Sequence, residues 1–130
     1  MSFISALIIF GIITLLMLGL EIMTTYITQG FGFGFSANRG TVEKPPLALR
    51  IQRAYANQIE SAAYGVPILA AAALTNLDFN GAETAAMLFV IGRVAFAILY
   101  YTGISFVRVP AFVLSTFSAS YIIYALIMSM

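Results

Sequence analysis

Polar side chains that could bind a charged ligand are concentrated where the second predicted helix begins. At 100° per residue, a helical face about 80° wide holds a set of them. The set is Arg50, Arg53, Asn57, Glu60 and Tyr64. Together they offer hydrogen-bond donors and acceptors. Such a face, at the mouth of an apolar bundle, needs either a ligand or polar partners from neighbouring helices.

The chain contains no cysteine and no histidine. Disulfides, thiol nucleophiles and thiolate metal sites are therefore excluded. The usual general base near neutral pH, which is also the commonest metal ligand, is missing as well. Any chemistry must use arginine, glutamate, tyrosine, asparagine, serine or threonine, or a reactive group carried by a ligand.

The composition indicates a membrane protein. Of the 130 residues, 62% are apolar and only 8% are charged, whereas soluble domains carry about 25% charged residues. A soluble fold of this length could not bury so much apolar surface. The net charge of +1 argues against nucleic acid as a partner, because no basic footprint is present.

The pattern of apolar segments predicts an all-α integral membrane protein, a four-transmembrane-helix bundle forming one domain over residues 1–130. The expected helices are residues 2–28, 47–75, 82–106 and 109–129. Residues 30–35 alternate glycine with phenylalanine, and we expect them to form a loop at the membrane surface. Pro110 marks the turn before the last helix.

The basic residues predict the orientation of the bundle. They lie on or near the first and third loops, at Arg39, Lys44, Arg50, Arg53 and Arg108. The second loop instead carries Asp78 and Glu83. The positive-inside rule therefore places the first and third loops in the cytoplasm and both termini outside.

The rise of an α-helix per residue gives the depth of each of these polar residues in the membrane. Glu21, Glu60 and Tyr100 come out at about 24–27 Å from the outer face, in the cytoplasmic third of the membrane. Arg93 lies nearer the middle and shares a helical face with Phe96 and Tyr100. The sequence therefore predicts a polar layer built by three helices and open to the cytoplasm.

Motifs on two helices resemble those of one membrane family. Helix 2 carries Arg53-Ala-x-x-Asn57-x-x-Glu60, and helix 3 carries Gly92-Arg93-Val-Ala, with Tyr100 seven residues after the arginine. These motifs, the four spans and the long first loop resemble the MAPEG family, the membrane-associated proteins in eicosanoid and glutathione metabolism. The resemblance covers the whole chain, and we take the protein for a divergent bacterial member, located in the inner membrane.

The resemblance implies a homotrimer in contact with membrane lipids, with glutathione bound between neighbouring subunits near the cytoplasmic side. The implied reactions use the glutathione thiol on hydrophobic electrophiles or lipid hydroperoxides, as a transferase or peroxidase does. The residues implied to bind glutathione are Arg53, Asn57, Glu60, Arg93 and Tyr100. Arg108 matches the arginine thought to stabilise the thiolate, which makes it the catalytic candidate.

Four positions depart from catalytic relatives by being apolar where those relatives are polar. Ala56 stands where many have an arginine, and Phe96 stands where prostaglandin E synthase has a histidine. Val109 and Phe112 replace a serine and a tyrosine. These departures predict a site unlike that of prostaglandin E synthase and put glutathione binding itself in question.

Three alternatives remain open at the level of sequence. The polar face could be a purely structural ion-pair network, in which Arg50 or Arg53 pairs with Glu60 or Glu21 and Arg93 neutralises a carboxylate. A non-catalytic relative could bind lipid and present it to a partner. A small multidrug transporter would explain a glutamate on helix 1, although Arg93 and the basic first loop fit that class poorly.

Overall fold

Four α-helices and no strand make up the described part of the chain, residues 1–35 and 45–130 of a computed structural model. The helices are α1 (Phe3–Phe35), α2 (Pro46–Leu74), α3 (Ala82–Tyr101) and α4 (Ser105–Met128). The predicted fold class, an all-α four-helix membrane protein, is confirmed. Arg39 and Lys44, which contribute to the predicted orientation, lie outside the described residues.

Three of the helices contain a stretch long and apolar enough to cross a membrane. These stretches are Phe3–Gly30, Ala82–Tyr101 and Arg108–Met128. The fourth helix, α2, has 29 residues and is about 42 Å long, but its first half carries charged residues. It packs against all three other helices, whereas α1 and α4 do not contact each other within the described ranges.

The first helix is longer than the sequence predicts. Its helical conformation continues to Phe35 instead of ending near residue 28, so the expected loop over residues 30–35 is wrong. Gly30 interrupts the helix with φ 81° and ψ 168°. Because glycine has no Cβ, it adopts this conformation without steric strain, and a helical segment resumes after the kink.

The turn between α3 and α4 lies earlier than predicted. α3 ends at Tyr101 instead of residue 106, and α4 begins at Ser105 instead of residue 109. Gly103 has φ 78°, and its N–H donates to the Tyr100 carbonyl while that of Ile104 donates to Leu99. This is the glycine-terminated C-cap of a Schellman motif. Pro110 lies inside α4 and is not its boundary.

Close approach of α3 to α4 forms the most extensive contact between helices. At Gly92, an added Cβ would lie only 3.0 Å from the Ala111 carbonyl oxygen and from the Ser115 backbone nitrogen. Small residues at membrane helix interfaces allow backbones to approach in this way. The contact lies beside Arg93, the next residue along α3, whose side chain bonds to residues of α2.

The main apolar core lies towards the end of the bundle where the chain begins. Phe89 on α3 is 1% exposed and stacks on Phe10 of α1, with ring centroids 5.5 Å apart. Tyr64 meets the same ring edge-on at 6.4 Å, which gives it a packing role. Polar residues of the predicted site lie beyond this core, towards the opposite end.

Candidate functional site

Arg93 is the centre of the polar network inside the bundle. Its side chain is 0% exposed. Nε donates to the Gln58 Oε1 atom at 3.0 Å, and Nη2 donates to the Asn57 Oδ1 atom at 2.7 Å. The third nitrogen, Nη1, is buried without a hydrogen-bond partner among the described residues. Both N–H groups of Nη1 are therefore left for a ligand or a water molecule.

Gln58 extends this network to the first helix. It is also 0% exposed, and its Nε2 atom donates to the Thr14 hydroxyl oxygen at 3.0 Å. The Thr14 hydroxyl donates in turn to the Phe10 carbonyl at 2.8 Å. Residues of α1, α2 and α3 are thus linked by one chain of hydrogen bonds through the interior.

A series of cation–ring and ring–ring contacts leads from Arg93 towards the end of α3. The guanidinium carbon of Arg93 lies 4.7 Å from the centroid of the Phe96 ring. The Phe96 and Tyr100 centroids are 5.5 Å apart. The guanidinium carbon of Arg108 then lies 4.5 Å from the Tyr100 centroid. The two predicted arginines are therefore joined through aromatic faces, which attract cations.

Arg53 and Glu60 are not drawn into this network. Both side chains are exposed on the outer surface of α2, and neither makes an ion pair or hydrogen bond with another described residue. Asn57, between them on the same face, is partly buried and bonded to Arg93. The structure therefore brings Asn57 and Arg93 together, and Tyr100 and Arg108 together, but leaves Arg53 and Glu60 facing outward.

Among the described residues, Arg50 and Arg93 bond to uncharged groups instead of forming the direct ion pairs of the structural alternative. Arg93 bonds to two side-chain amide oxygens rather than to a carboxylate. Arg50 donates from Nε to the Tyr101 carbonyl at 3.2 Å. This bond satisfies a carbonyl in the last turn of α3, where a cation also interacts favourably with the helix dipole.

Sequence reasoning missed Gln58 and Thr14. The signal for Gln58 was present: the buried residues of α2 include Ala54, Gln58, Ser61 and Gly65, which recur at helical spacing. A glutamine on a face otherwise formed by small residues requires an internal partner. Thr14 is an isolated polar residue in an apolar helix, and such residues commonly bond to their own backbone.

The four apolar residues that stand where catalytic relatives have polar ones lie in two different environments. The Phe96 and Phe112 rings contact each other, with centroids 6.0 Å apart, so two of the replacements form one aromatic pair between α3 and α4. Ala56 and Val109 are exposed. At these two positions, the polar groups of prostaglandin E synthase are thus replaced by a pair of rings in contact.

These helices define an integral membrane protein of the all-α class, with a hydrogen-bond network around a buried arginine. Comparison with known protein families matches residues 6–128 to the MAPEG family. The match covers nearly the whole chain, and the chain belongs to this family. The family is associated with membranes and, in general, with glutathione. Neither the curated proteins nor the solved structures compared with the chain include a match.

Proposed function

We propose that the protein is a membrane-embedded, glutathione-dependent transferase or peroxidase acting on hydrophobic electrophiles or lipid hydroperoxides. The proposal rests on the polar residues that α2 exposes on its outer surface. Beside them lies the buried Arg93, whose Nη1 atom has no described hydrogen-bond partner. Family membership supports glutathione as the ligand of that face. A purely apolar bundle would need neither feature.

The depth of Glu60 explains why this face requires a partner. It lies 14 residues before Leu74, the last residue of α2, which corresponds to about 21 Å along the helix. Since the hydrocarbon core is about 30 Å thick, an exposed carboxylate at that depth would meet lipid. A neighbouring subunit and a polar ligand remove this cost, which supports a homotrimer with sites between subunits.

The available side chains fit the charges of glutathione. Arg53, the spare Nη1 atom of Arg93 and the amide of Asn57 are donors for carboxylate or carbonyl oxygens. Glu60 is an acceptor for the ammonium group. The Tyr100 hydroxyl is a further donor, and its ring already contacts Arg108. We assign these residues to binding.

Arg108 is the proposed catalytic residue. When bound, glutathione supplies the thiol whose ionised form is the nucleophile. A guanidinium close to that sulfur lowers the cost of ionisation, and an apolar environment strengthens the effect. The contact with Tyr100 holds the guanidinium near the end of α3, on the side of the bundle that we propose faces the cytoplasm.

One observation favours the alternative, a non-catalytic lipid-binding or scaffold member of the family. The Phe96–Phe112 ring pair fills the space between α3 and α4 beside Arg93. A site without those polar groups has fewer donors for a reacting substrate. The same binding experiment distinguishes this alternative from the enzyme.

Equilibrium binding of glutathione to the detergent-purified protein tests the proposal, with the thiolate absorbance recorded as a difference spectrum. We expect the wild type to bind and to show the thiolate signal. Arg53→Ala should weaken binding about tenfold or more, because a charge-assisted bond is lost. Arg108→Ala should bind but lose the thiolate signal. Gln52→Ala, an exposed neighbour on α2, is the matched control and should behave as wild type.

The outcomes separate the roles. If the wild type does not bind glutathione, the proposed enzymatic function is refuted and the non-catalytic alternative is favoured. A thiolate signal that survives Arg108→Ala removes that residue from catalysis while leaving the binding site intact.

A further inference from the structure

A relay of hydrogen bonds crosses three helices beneath the proposed glutathione site. It runs from the Phe10 carbonyl through Thr14, Gln58 and Arg93 to Asn57. We infer that Gln58 is a positioning residue: it fixes the guanidinium of Arg93 and, through it, the amide of Asn57. The inference rests on the function proposed above and adds residues that the family motifs do not include.

The relay has only one arrangement of donors and acceptors. The Thr14 hydroxyl proton is donated to the Phe10 carbonyl, so the Thr14 oxygen can only accept from Gln58. The group facing Thr14 must then be the NH₂ group of Gln58, and its carbonyl oxygen must face Arg93. Because a guanidinium has donors only, the opposite orientation of the glutamine amide would set N–H groups against N–H groups.

Because the network is buried, each of its hydrogen bonds is costly to lose. Gln58 and Arg93 are both 0% exposed, so neither can exchange a lost partner for bulk water. An unpaired polar group in such surroundings bears its full desolvation cost. The two bonds from Arg93, at Nε and Nη2, hold the plane of the guanidinium and leave Nη1 as its only free nitrogen.

The orientation of Asn57 follows from the same logic. Its Oδ1 atom accepts from Nη2 of Arg93 at 2.7 Å, so its NH₂ group is the part of the amide left for a ligand. The relay thereby makes Asn57 a donor towards the outer face of α2. The chemistry it selects is an acceptor oxygen, such as the carboxylate or peptide carbonyl of glutathione, rather than an ammonium group.

The test compares glutathione dissociation constants of folded, detergent-purified variants. Gln58→Met keeps the length of the side chain and removes its hydrogen bonds. We expect binding about tenfold weaker, equivalent to about 1.4 kcal/mol. Gln58→Glu keeps an acceptor for Nε of Arg93 but loses the donor to Thr14, so we expect it to recover part of the affinity, with a Kd about threefold above that of the wild type. Ser61→Ala is the control and should not affect Kd, because among the described residues this buried hydroxyl bonds only to the Gln58 backbone carbonyl.

A double-mutant comparison separates positioning from general destabilisation. If Gln58 acts through Arg93 and Asn57, then Gln58→Met should reduce affinity less in the Asn57→Ala background than in the wild type. If Gln58 has only a structural role, Gln58→Met should lower Tm in both backgrounds and reduce the affinity by the same factor in each. Equal losses in the two backgrounds would overturn the inference.

The remaining outcomes are also decisive. No binding by the wild type overturns the proposed function and this inference together, whereas normal binding by Gln58→Met overturns the relay alone. If Gln58→Met does not fold, Thr14→Val decides, because it removes the acceptor for Nε2 of Gln58 and leaves Gln58 in place; the other bond it removes, to the Phe10 carbonyl, lies within α1. We then expect Kd to rise about threefold, as for one weakened neutral hydrogen bond, and an unchanged Kd refutes the relay.

Discussion

Gly92→Ala should separate α3 from α4. The new Cβ would lie 3.0 Å from each of three atoms of α4: the Ala111 carbonyl oxygen, the Ser115 Cβ and the Ser115 nitrogen. Ordinary contacts of a Cβ atom are 3.4–4 Å long, so α4 must move by a few tenths of an ångström. Two of the three atoms belong to the backbone and cannot rotate away. We expect a destabilisation of about 1–3 kcal/mol, as for other overpacked interiors.

Thermal denaturation in detergent, followed by circular dichroism, checks this expectation. Gly11→Ala is the matched control, because an added Cβ there has no heavy atom within 4 Å. Removing a glycine from a helix stabilises it by about 0.5–1 kcal/mol, so the control should keep or raise its Tm while Gly92→Ala lowers it. A Gly92→Ala protein as stable as the control would refute the close α3–α4 contact.

Three further substitutions test other contacts by the same Tm measurement. Gly65→Ala should also destabilise, because its Cβ would lie 2.6 Å from Cζ of the buried Phe89 ring; a Tm equal to wild type would mean that the ring can move. Arg93→Lys keeps the charge but cannot reproduce two bonds from a planar group, so we expect a loss of about 1–3 kcal/mol, and an unchanged Tm would contradict the network. Tyr121→Phe removes the bond to the Asn80 carbonyl and should cost about 1 kcal/mol; no change would show that this bond contributes nothing.

Much of the fold follows from composition and periodicity. Long apolar segments separated by short polar turns predict four helices, and α2 begins and ends within one residue of the expected bounds. The predicted ends of α1 and α3 are wrong because the conformation of single glycine residues determines them. Gly30 permits a kink within α1, and Gly103 ends α3 before the proline that suggested a boundary.

The site was predicted in part. Arg93, Asn57 and Tyr100 are recognisable because charged or amide groups stand out in apolar helices. Their partners are not, because a hydrogen bond between residues 58 and 14 depends on how two helices pack, and periodicity gives only the face of each helix. A carboxylate partner for Arg93, one of the alternatives that the sequence left open, is not among its described hydrogen-bond partners, because helix packing places two side-chain amides beside the guanidinium.

The position of Arg93 within the chain has a consequence for biogenesis. An arginine at the centre of a membrane helix raises the free energy of insertion by about 2.5–3.5 kcal/mol. All of its hydrogen-bond partners, and the threonine behind them, belong to α1 and α2, which are synthesised before α3. As α3 enters the bilayer, its guanidinium can therefore find acceptors in helices already present, without waiting for α4. The order of the helices along the chain thus matches the order in which their polar groups are needed.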